Sequence, residues 1–314
     1  MFKTNSAAIL LATYNGEKFL REQIDSLLAQ TYQDFVVFIS DDLSTDKTKD
    51  IILEYTEKFT GKIIDIWNER HFGNARDNFL NLLCAVDAPY YLFCDQDDVW
   101  LNTKVEKTMA IFKNTEKNKP ALIYSDLYVV ESDLGIINSS FLAYTKKTKT
   151  MDWKQYLIEN NNVVGCTMAI NEPLAMLYKF KAKELDNTNI FMHDSFFAQI
   201  ASLTGTLYFI DESLVKYRQH GNNSIGAISS KKSIIQILKI IFNLRNKKII
   251  QIQREKNTNE VLKCCCINND KKYEICTEYS KLYNKRKIQR ILFLIKNQIY
   301  RQSFFENLYL FLTI

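Results

Sequence analysis

Cys94-Asp95-Gln96-Asp97-Asp98 places three carboxylates within four positions. At neutral pH such a cluster repels itself unless positive charge sits among its oxygens. A hard divalent cation is the natural neutraliser, because Mg²⁺ and Mn²⁺ favour carboxylate and phosphate oxygens. The plainer alternative is a solvated acidic turn whose carboxylates cap the helix that follows. The motif's setting favours the cation. An apolar run from Tyr90 to Cys94 ends at it, and Trp100 lies just beyond. Asp95, Asp97 and Asp98 are therefore candidate metal ligands.

Such a motif needs elements that aim it. Ala8 to Ala12 is a continuous apolar run followed by the turn signal Tyr14-Asn15-Gly16. Phe19, Ile24, Leu27 and Leu28 then recur at helical spacing. Phe35 to Ile39, Ile63 to Trp67, Tyr90 to Cys94 and Ala121 to Tyr124 read as further strands. Thr48 to Phe59, Asn74 to Ala85 and Asn102 to Lys113 read as the intervening helices. Strands that are apolar on both faces, alternating with amphipathic helices, predict a largely parallel α/β sheet covered on both sides. Ligands of such sheets bind beyond the carboxyl ends of the strands. Tyr14, Asp41, Asp42, Arg76, Asp95, Asp97 and Asp98 then fall on one rim. Further on, Val163 to Ile170 and Leu207 to Ile210 read as strands and Asp194 to Ser202 as a helix. The chain is helical in pattern from Lys231, with a polar, flexible break from Asn257 to Lys272.

There is no Gly-x-x-x-x-Gly-Lys loop, and no Gly-x-Gly-x-x-Gly follows the first strand. That disfavours a P-loop ATPase and a dinucleotide oxidoreductase. A sheet that holds phosphates through carboxylates and a metal points to a nucleoside-diphosphate substrate.

Ala12-Thr13-Tyr14-Asn15-Gly16, Ser26 to Tyr32, Asp41 to Thr48 and Asp95-Gln96-Asp97-Asp98 resemble, in order, the motifs of family 2 glycosyltransferases with a GT-A fold. Gly165-Cys166-Thr167-Met168, Met192-His193-Asp194 and Tyr217 to Asn223 are similar to the bacterial polysaccharide rhamnosyltransferase branch. The match runs over residues 7 to 226. One departure is Leu43, where the family usually has Gly.

The resemblance implies roles residue by residue. Ala12 and Tyr14 would contact the base and ribose. Asp42, with Asp41, would accept from the base imide N–H. Arg76 would lie near the phosphates, unless it is only a surface helix charge. Asp97 and Asp98, with Asp95, would hold the metal, the diphosphate and the sugar. His220 would complete the metal shell or bind diphosphate, and Arg218 would close over the donor. A hydrogen-bonded structural role is the alternative for His220. Asp194 matches the general base that takes the acceptor hydroxyl's proton in an inverting transfer. Capping of the following helix is its structural alternative. The implied donor is dTDP-rhamnose and the implied acceptor a lipid-linked or polysaccharide intermediate.

Charge divides the chain. Residues 228–314 hold 18 basic and six acidic residues, leaving 23 and 30 in residues 1–227. The halves carry +12 and −7, within a net charge of +5. We therefore expect a catalytic domain over 1–227 and a basic helical region over 228–314. That region is a solvated appendage, a homodimer element, or a segment from Ile234 to Leu244 that rests on an anionic membrane surface. It lacks the interleaved aromatic platforms expected of a nucleic-acid binder. The seven cysteines show no disulfide spacing and read as reduced thiols. No signal peptide or membrane span is visible, so a cytoplasmic enzyme at the inner membrane face is expected. Two competing readings are a sugar nucleotidyltransferase, whose glycine-rich signature is missing, and a non-catalytic sugar-nucleotide-binding protein, which would not need Asp194.

Overall fold

The computed structural model describes residues 2–158, 161–219, 244–265, 270–301 and 304–314. His220, Cys266 and most of the segment from Ile234 to Leu244 lie outside the described residues. In chain order the strands are β1 (Phe2–Lys3), β2 (Ala7–Thr13), β3 (Phe35–Asp41), β4 (Ile63–Asp65), β5 (Val86–Asp87), β6 (Tyr90–Asp95), β7 (Val99–Trp100), β8 (Ala121–Val130), β9 (Ile136–Asn138), β10 (Ala169–Asn171) and β11 (Thr206–Arg218). The helices are α1 (Leu20–Leu28), α2 (Thr48–Lys58), α3 (Ala75–Ala85), α4 (Lys104–Phe112), α5 (Phe141–Thr145), α6 (Gln155–Ile158), α7 (Glu172–Lys179), α8 (His193–Thr204), α9 (Leu244–Cys264), α10 (Lys271–Tyr279), α11 (Lys287–Lys296) and α12 (Phe304–Thr313).

The main sheet runs β4-β3-β2-β6-β10-β8-β11-β7, with β9 paired to β8. Pairing is parallel from β4 through β6, as the alternating pattern requires. β10 then inserts antiparallel between β6 and β8. All of β2 is buried because each face of the sheet is covered. Ala8 and Leu10 face one core with Phe79 of α3 and Phe196 of α8. Ile9 and Leu11 face the other with Leu27 of α1 and Ile51 of α2.

Two sequence expectations change. Val163 to Ile170 is not one strand. A 3₁₀ turn at Gly165–Thr167 precedes the short β10. That turn packs under α8, where His193 occupies the space a side chain at 165 would need. Nor is there a break beginning at Asn257, since α9 continues to Cys264. Its polar residues are buried with partners. The Asn257 amide donates to Gln199 (2.8 Å) and its carbonyl accepts from the Phe191 N–H (3.0 Å). Glu260 accepts from the Asp186 N–H at 3.1 Å. Polarity here encodes an interface with α8 and its preceding loop, not exposure to water. Val261, Cys264, Cys276, Tyr279 and Leu294 join the same core as Leu10 and Phe93, so α9, α10 and α11 stack on one face of the sheet.

Candidate active site

The carboxyl ends of β2, β3 and β6 open on a cavity of about 280 Å³. Ala12, Tyr14, Asp42, Asp95, Asp97, Gly165, His193 and Asp194 are among its walls. Gln96 ties two of these ends together. Its amide donates to the Tyr14 carbonyl and its oxygen accepts from the Tyr14 N–H, both at 2.8 Å. A Cβ at Gly16 would lie 2.2 Å from that amide oxygen, so a side chain there would have to push Gln96 off both bonds to Tyr14. Gln96 has no local signal in the sequence, because its partner lies 82 positions away.

The two carboxylates after β3 divide their work. Asp42 is buried on the cavity wall and accepts from the Phe72 and Gly73 N–H groups, the latter at 2.8 Å. Tyr14 and His71 approach it as a tilted aromatic pair with centroids 5.1 Å apart. Asp41 instead accepts from Thr13 (2.8 Å) and from the Ser44 N–H (2.9 Å) and hydroxyl (2.6 Å). It builds the turn and does not line the cavity. Leu43 sits in that turn at φ 57°, the left-handed region that glycine occupies without strain. The backbone conformation therefore persists despite the replaced residue.

The acidic motif also divides. Asp95 and Asp97 line the cavity, whereas Asp98 is fully buried beneath it. One Asp98 oxygen accepts the Arg218 N–H at 3.1 Å, and the other has no protein partner. Desolvation, then repulsion from Asp97 and Asp194, pushes Asp95 up to about 7. Oxygens of Asp95 and Asp98 and the Cys166 sulfur lie within 4.8 Å of one another. Burial, and then Asp98 and Asp95, hold the Cys166 thiol well above its usual pKa, so it serves Asp98 as a donor and not as a thiolate ligand. The raised Asp95 is relieved by positive charge, which fits a hard divalent cation held by Asp95 and Asp97, the two carboxylates of the motif that line the cavity.

Both arginines expected at the donor are engaged elsewhere. Arg218 is buried with its guanidinium 4.4 Å from the Phe19 ring centre. It donates to the Asp97 carbonyl (2.9 Å), to the Ser132 carbonyl and to Glu22 (2.5 Å). It thus fastens the acidic loop from behind. Arg76 donates to Asp77 (2.9 Å) and to the Ile190 carbonyl (2.7 Å), and it is not part of the cavity wall. Each satisfies buried or half-buried acceptors that a sequence does not display.

Asp194 stands at the N-terminus of α8, where the following Ser195 N–H donates to it. It lines the first cavity and also a second, of about 470 Å³. The second is walled by Phe141, Lys147, Tyr156 and Phe191, and by Arg254, Asn257 and Thr258 of α9. Val164, Met192 and Tyr217 share the partition with Asp194. Burial raises Asp194 to about 6, although the Ser195 N–H and the charge of Lys147 act in the other direction. Lys147 had no local signal in the sequence, since its neighbour Asp194 is remote along the chain.

Residues 8–185 match Glycosyl transferase family 2. The chain belongs to that family. As a family 2 glycosyltransferase it is 32% identical over 243 residues to the dTDP-rhamnosyl transferase RfbG of Shigella flexneri, covering 74% of this chain and 79% of that one. Its fold is shared with S. aureus TarS 1–349 in complex with UDP-GlcNAc (TM-score 0.52, 14% identity, 95% of this chain and 93% of that one). It is shared too with the mannosyltransferase PcManGT from Pyrobaculum calidifontis in complex with GDP-Man and Mn²⁺ (TM-score 0.53, 11% identity, 94% and 74%). The GT-A architecture expected from the motifs is thus present in this glycosyltransferase.

His193 gives the family 2 site a rigid back wall. It is buried, with its ring 4.4 Å from that of Phe79 and 5.2 Å from that of Phe93. Burial lowers its pKa to about 3, so it stays neutral. A Cβ at Gly165 would lie 2.8 Å from its Nε2 and 4.0 Å from an Asp194 oxygen. The flanking rings leave the imidazole nowhere to move. Gly165→Ala is therefore expected to cost about 1–3 kcal/mol of stability, as overpacking does. Turnover should fall with it because a shift of His193 moves the adjoining Asp194. Thermal unfolding and kcat of the purified variant check this, and an unchanged kcat would show that the wall gives way.

Proposed function

We propose that this glycosyltransferase performs a metal-dependent inverting transfer of a hexose, rhamnose from dTDP-rhamnose, to a hydroxyl of a cell-surface polysaccharide intermediate. The observation that carries the reading is Asp194 on the partition between two cavities. The acid-lined cavity takes the donor, and the larger, aromatic one takes the acceptor. The likeness to a dTDP-rhamnosyl transferase supports the choice of donor.

Asp42 accepts from the base, between Ala12 and the ring of Tyr14. Asp95 and Asp97 would hold Mg²⁺ or Mn²⁺, which would supply positive charge against the departing diphosphate. Asp98 and Arg218 position that loop. Asp194 removes the acceptor hydroxyl's proton as its oxygen attacks the anomeric carbon. The bond from that carbon to the diphosphate oxygen breaks, and its electron pair leaves with the nucleotide. Attack opposite the leaving group inverts the anomeric centre. Residues 1–227 form the catalytic domain in this proposal. Residues 228–314 complete the acceptor side and bring the enzyme to the cytoplasmic face of an anionic membrane, where a lipid-linked acceptor resides. Among the described residues no helix is long and apolar enough to cross a membrane.

A thermal-shift panel of nucleoside-diphosphate sugars with and without Mn²⁺ tests donor and metal together. A ligand at a hundredfold excess over Kd stabilises by about 2.7 kcal/mol, a shift of several degrees. The largest shift is expected from dTDP-rhamnose with Mn²⁺. A metal-independent shift, or a larger one from a UDP- or GDP-sugar, would overturn the corresponding part of the proposal.

A further inference from the structure

α11 turns two different faces outward and inward. Phe293 and Leu294 are buried in the core, while Ile288, Leu292 and Ile295 are 72%, 58% and 47% exposed. Their i, i+4, i+7 spacing makes one apolar stripe along the helix. α12 repeats the arrangement, with Leu308 and Leu312 49% and 60% exposed at i, i+4. The Lys287 ammonium donates to the Leu312 carbonyl at 2.9 Å, which sets the start of α11 beside the end of α12. Two neighbouring helices thus leave apolar stripes uncovered, well beyond scattered surface leucines.

The charge around the α11 stripe is of one sign, while α12 itself carries a single charged residue, Glu306, in its first turn. From Lys281 to Phe305 the chain carries seven basic residues and no acidic one. On a helical projection Lys287 and Lys296 fall on opposite flanks of the α11 stripe. Apolar side chains bordered by cations match the boundary between lipid headgroups and acyl chains, where anionic lipids supply the counter-charge. A partner protein would need an equally acidic, apolar face. A second copy of this chain would set cation against cation.

The segment joining α11 to α12 reaches the wall of the larger cavity. Arg301, one residue beyond the exposed Tyr300, donates to the Ile158 carbonyl of α6 at 3.2 Å. Tyr156 and Leu157 of the same short helix line that cavity. Tyr279 of α10 holds the Leu157 carbonyl at 2.7 Å. Bonds from the α11–α12 connection and from α10 thus hold the short helix that lines the acceptor wall.

We propose that α11 and α12 form the membrane-docking face of this enzyme, taking an anionic lipid surface through Ile288, Leu292, Ile295, Leu308 and Leu312. The face would present the acceptor cavity to molecules anchored in the bilayer. This last step rests on the proposed acceptor; the docking itself does not.

The test uses the full chain and two vesicle types, phosphatidylcholine alone and phosphatidylcholine with phosphatidylglycerol, read by co-sedimentation. Wild-type protein should favour the anionic vesicles by roughly tenfold or more and be released by added salt. The double variant Ile288→Glu/Leu292→Glu should lose roughly tenfold in vesicle binding. Both positions are exposed, so its unfolding temperature and its thermal shift with donor should stay at wild-type values. Equal binding by the double variant, or no binding by wild type, would overturn the assignment. So would light scattering that shows a wild-type dimer dissociated by the variant, which would make the stripe a contact between copies. A missing donor shift in both proteins would count against the transferase reading and leave the docking result standing.

Discussion

Asp194→Asn is expected to lower kcat by about 10²–10⁴-fold, the usual contribution of a positioned general base. Asn keeps the shape and can still accept from the Ser195 N–H, but it cannot take a proton. Donor affinity should therefore stay within about twofold, because donor contacts are assigned to Ala12, Tyr14, Asp42, Asp95 and Asp97. The pH profile supplies an independent signature. Burial raises Asp194 to about 6, and the base works only as a carboxylate. Activity should be full above that value and decline as pH falls through it, about tenfold per unit below. An unperturbed carboxylate would place the same limb near its ordinary value of 3.8. The limb should vanish from the residual activity of the Asn variant. A variant with wild-type kcat and an unaltered profile would remove Asp194 from the mechanism.

Removing the divalent cation should be as severe. Metal stabilisation of developing charge supplies several kcal/mol, hence about two to four orders of magnitude in rate. Chelation should abolish turnover, and Mn²⁺ or Mg²⁺ should restore it. Asp97→Asn and Asp95→Asn should raise the metal concentration needed for half-maximal activity by tenfold or more, roughly the cost of weakening one ligand. Asp98→Asn makes a contrasting prediction. Asp98 is buried and accepts the Arg218 N–H, so its loss should appear as a lower unfolding temperature with little change in metal requirement. If Asp98→Asn raised the metal requirement as much as Asp97→Asn, its orphaned oxygen would have to be counted as a ligand. Activity that survives exhaustive chelation would remove the metal from the reaction.

The parts of the fold that sequence displays well are those written as periodic burial. β2, β3 and β6 are apolar because both faces of each are covered, and their ends place Ala12, Asp42 and Asp95 on one rim. The acidic motif was legible for a different reason, since its charges demand a counter-charge wherever they fold. Asp194 was legible only through the resemblance. Nothing local distinguishes it from a helix-capping carboxylate, although in the fold the cap is Met192 and Asp194 lies inside the first turn of α8. Arg76 and Arg218 show why the remainder was hidden. A lone cation in a sequence suggests an anionic ligand. Here the acceptors are the carbonyls of Ile190, Asp97 and Ser132 and the carboxylates of Asp77 and Glu22, most of them far away along the chain. The polar stretch from Asn257 misled for the same reason, because its partners on α8 and its preceding loop are known only once the chain has folded.

The family match ends at residue 185, yet Arg254, Asn257 and Thr258 stand in the wall of the larger cavity. The two halves of the proposed reaction are thus written in different stretches of the chain. Donor chemistry draws on the rim of the sheet and is bound by the geometry of activating a phosphate leaving group. The acceptor's surroundings draw in part on a later helix that has no such duty. If the acceptor binds there, substitutions confined to the cavity-facing residues of α9 would redirect the same transfer to a new hydroxyl with the donor half untouched. A lineage that must keep altering the glycan it builds would find in this division a short route to new linkages.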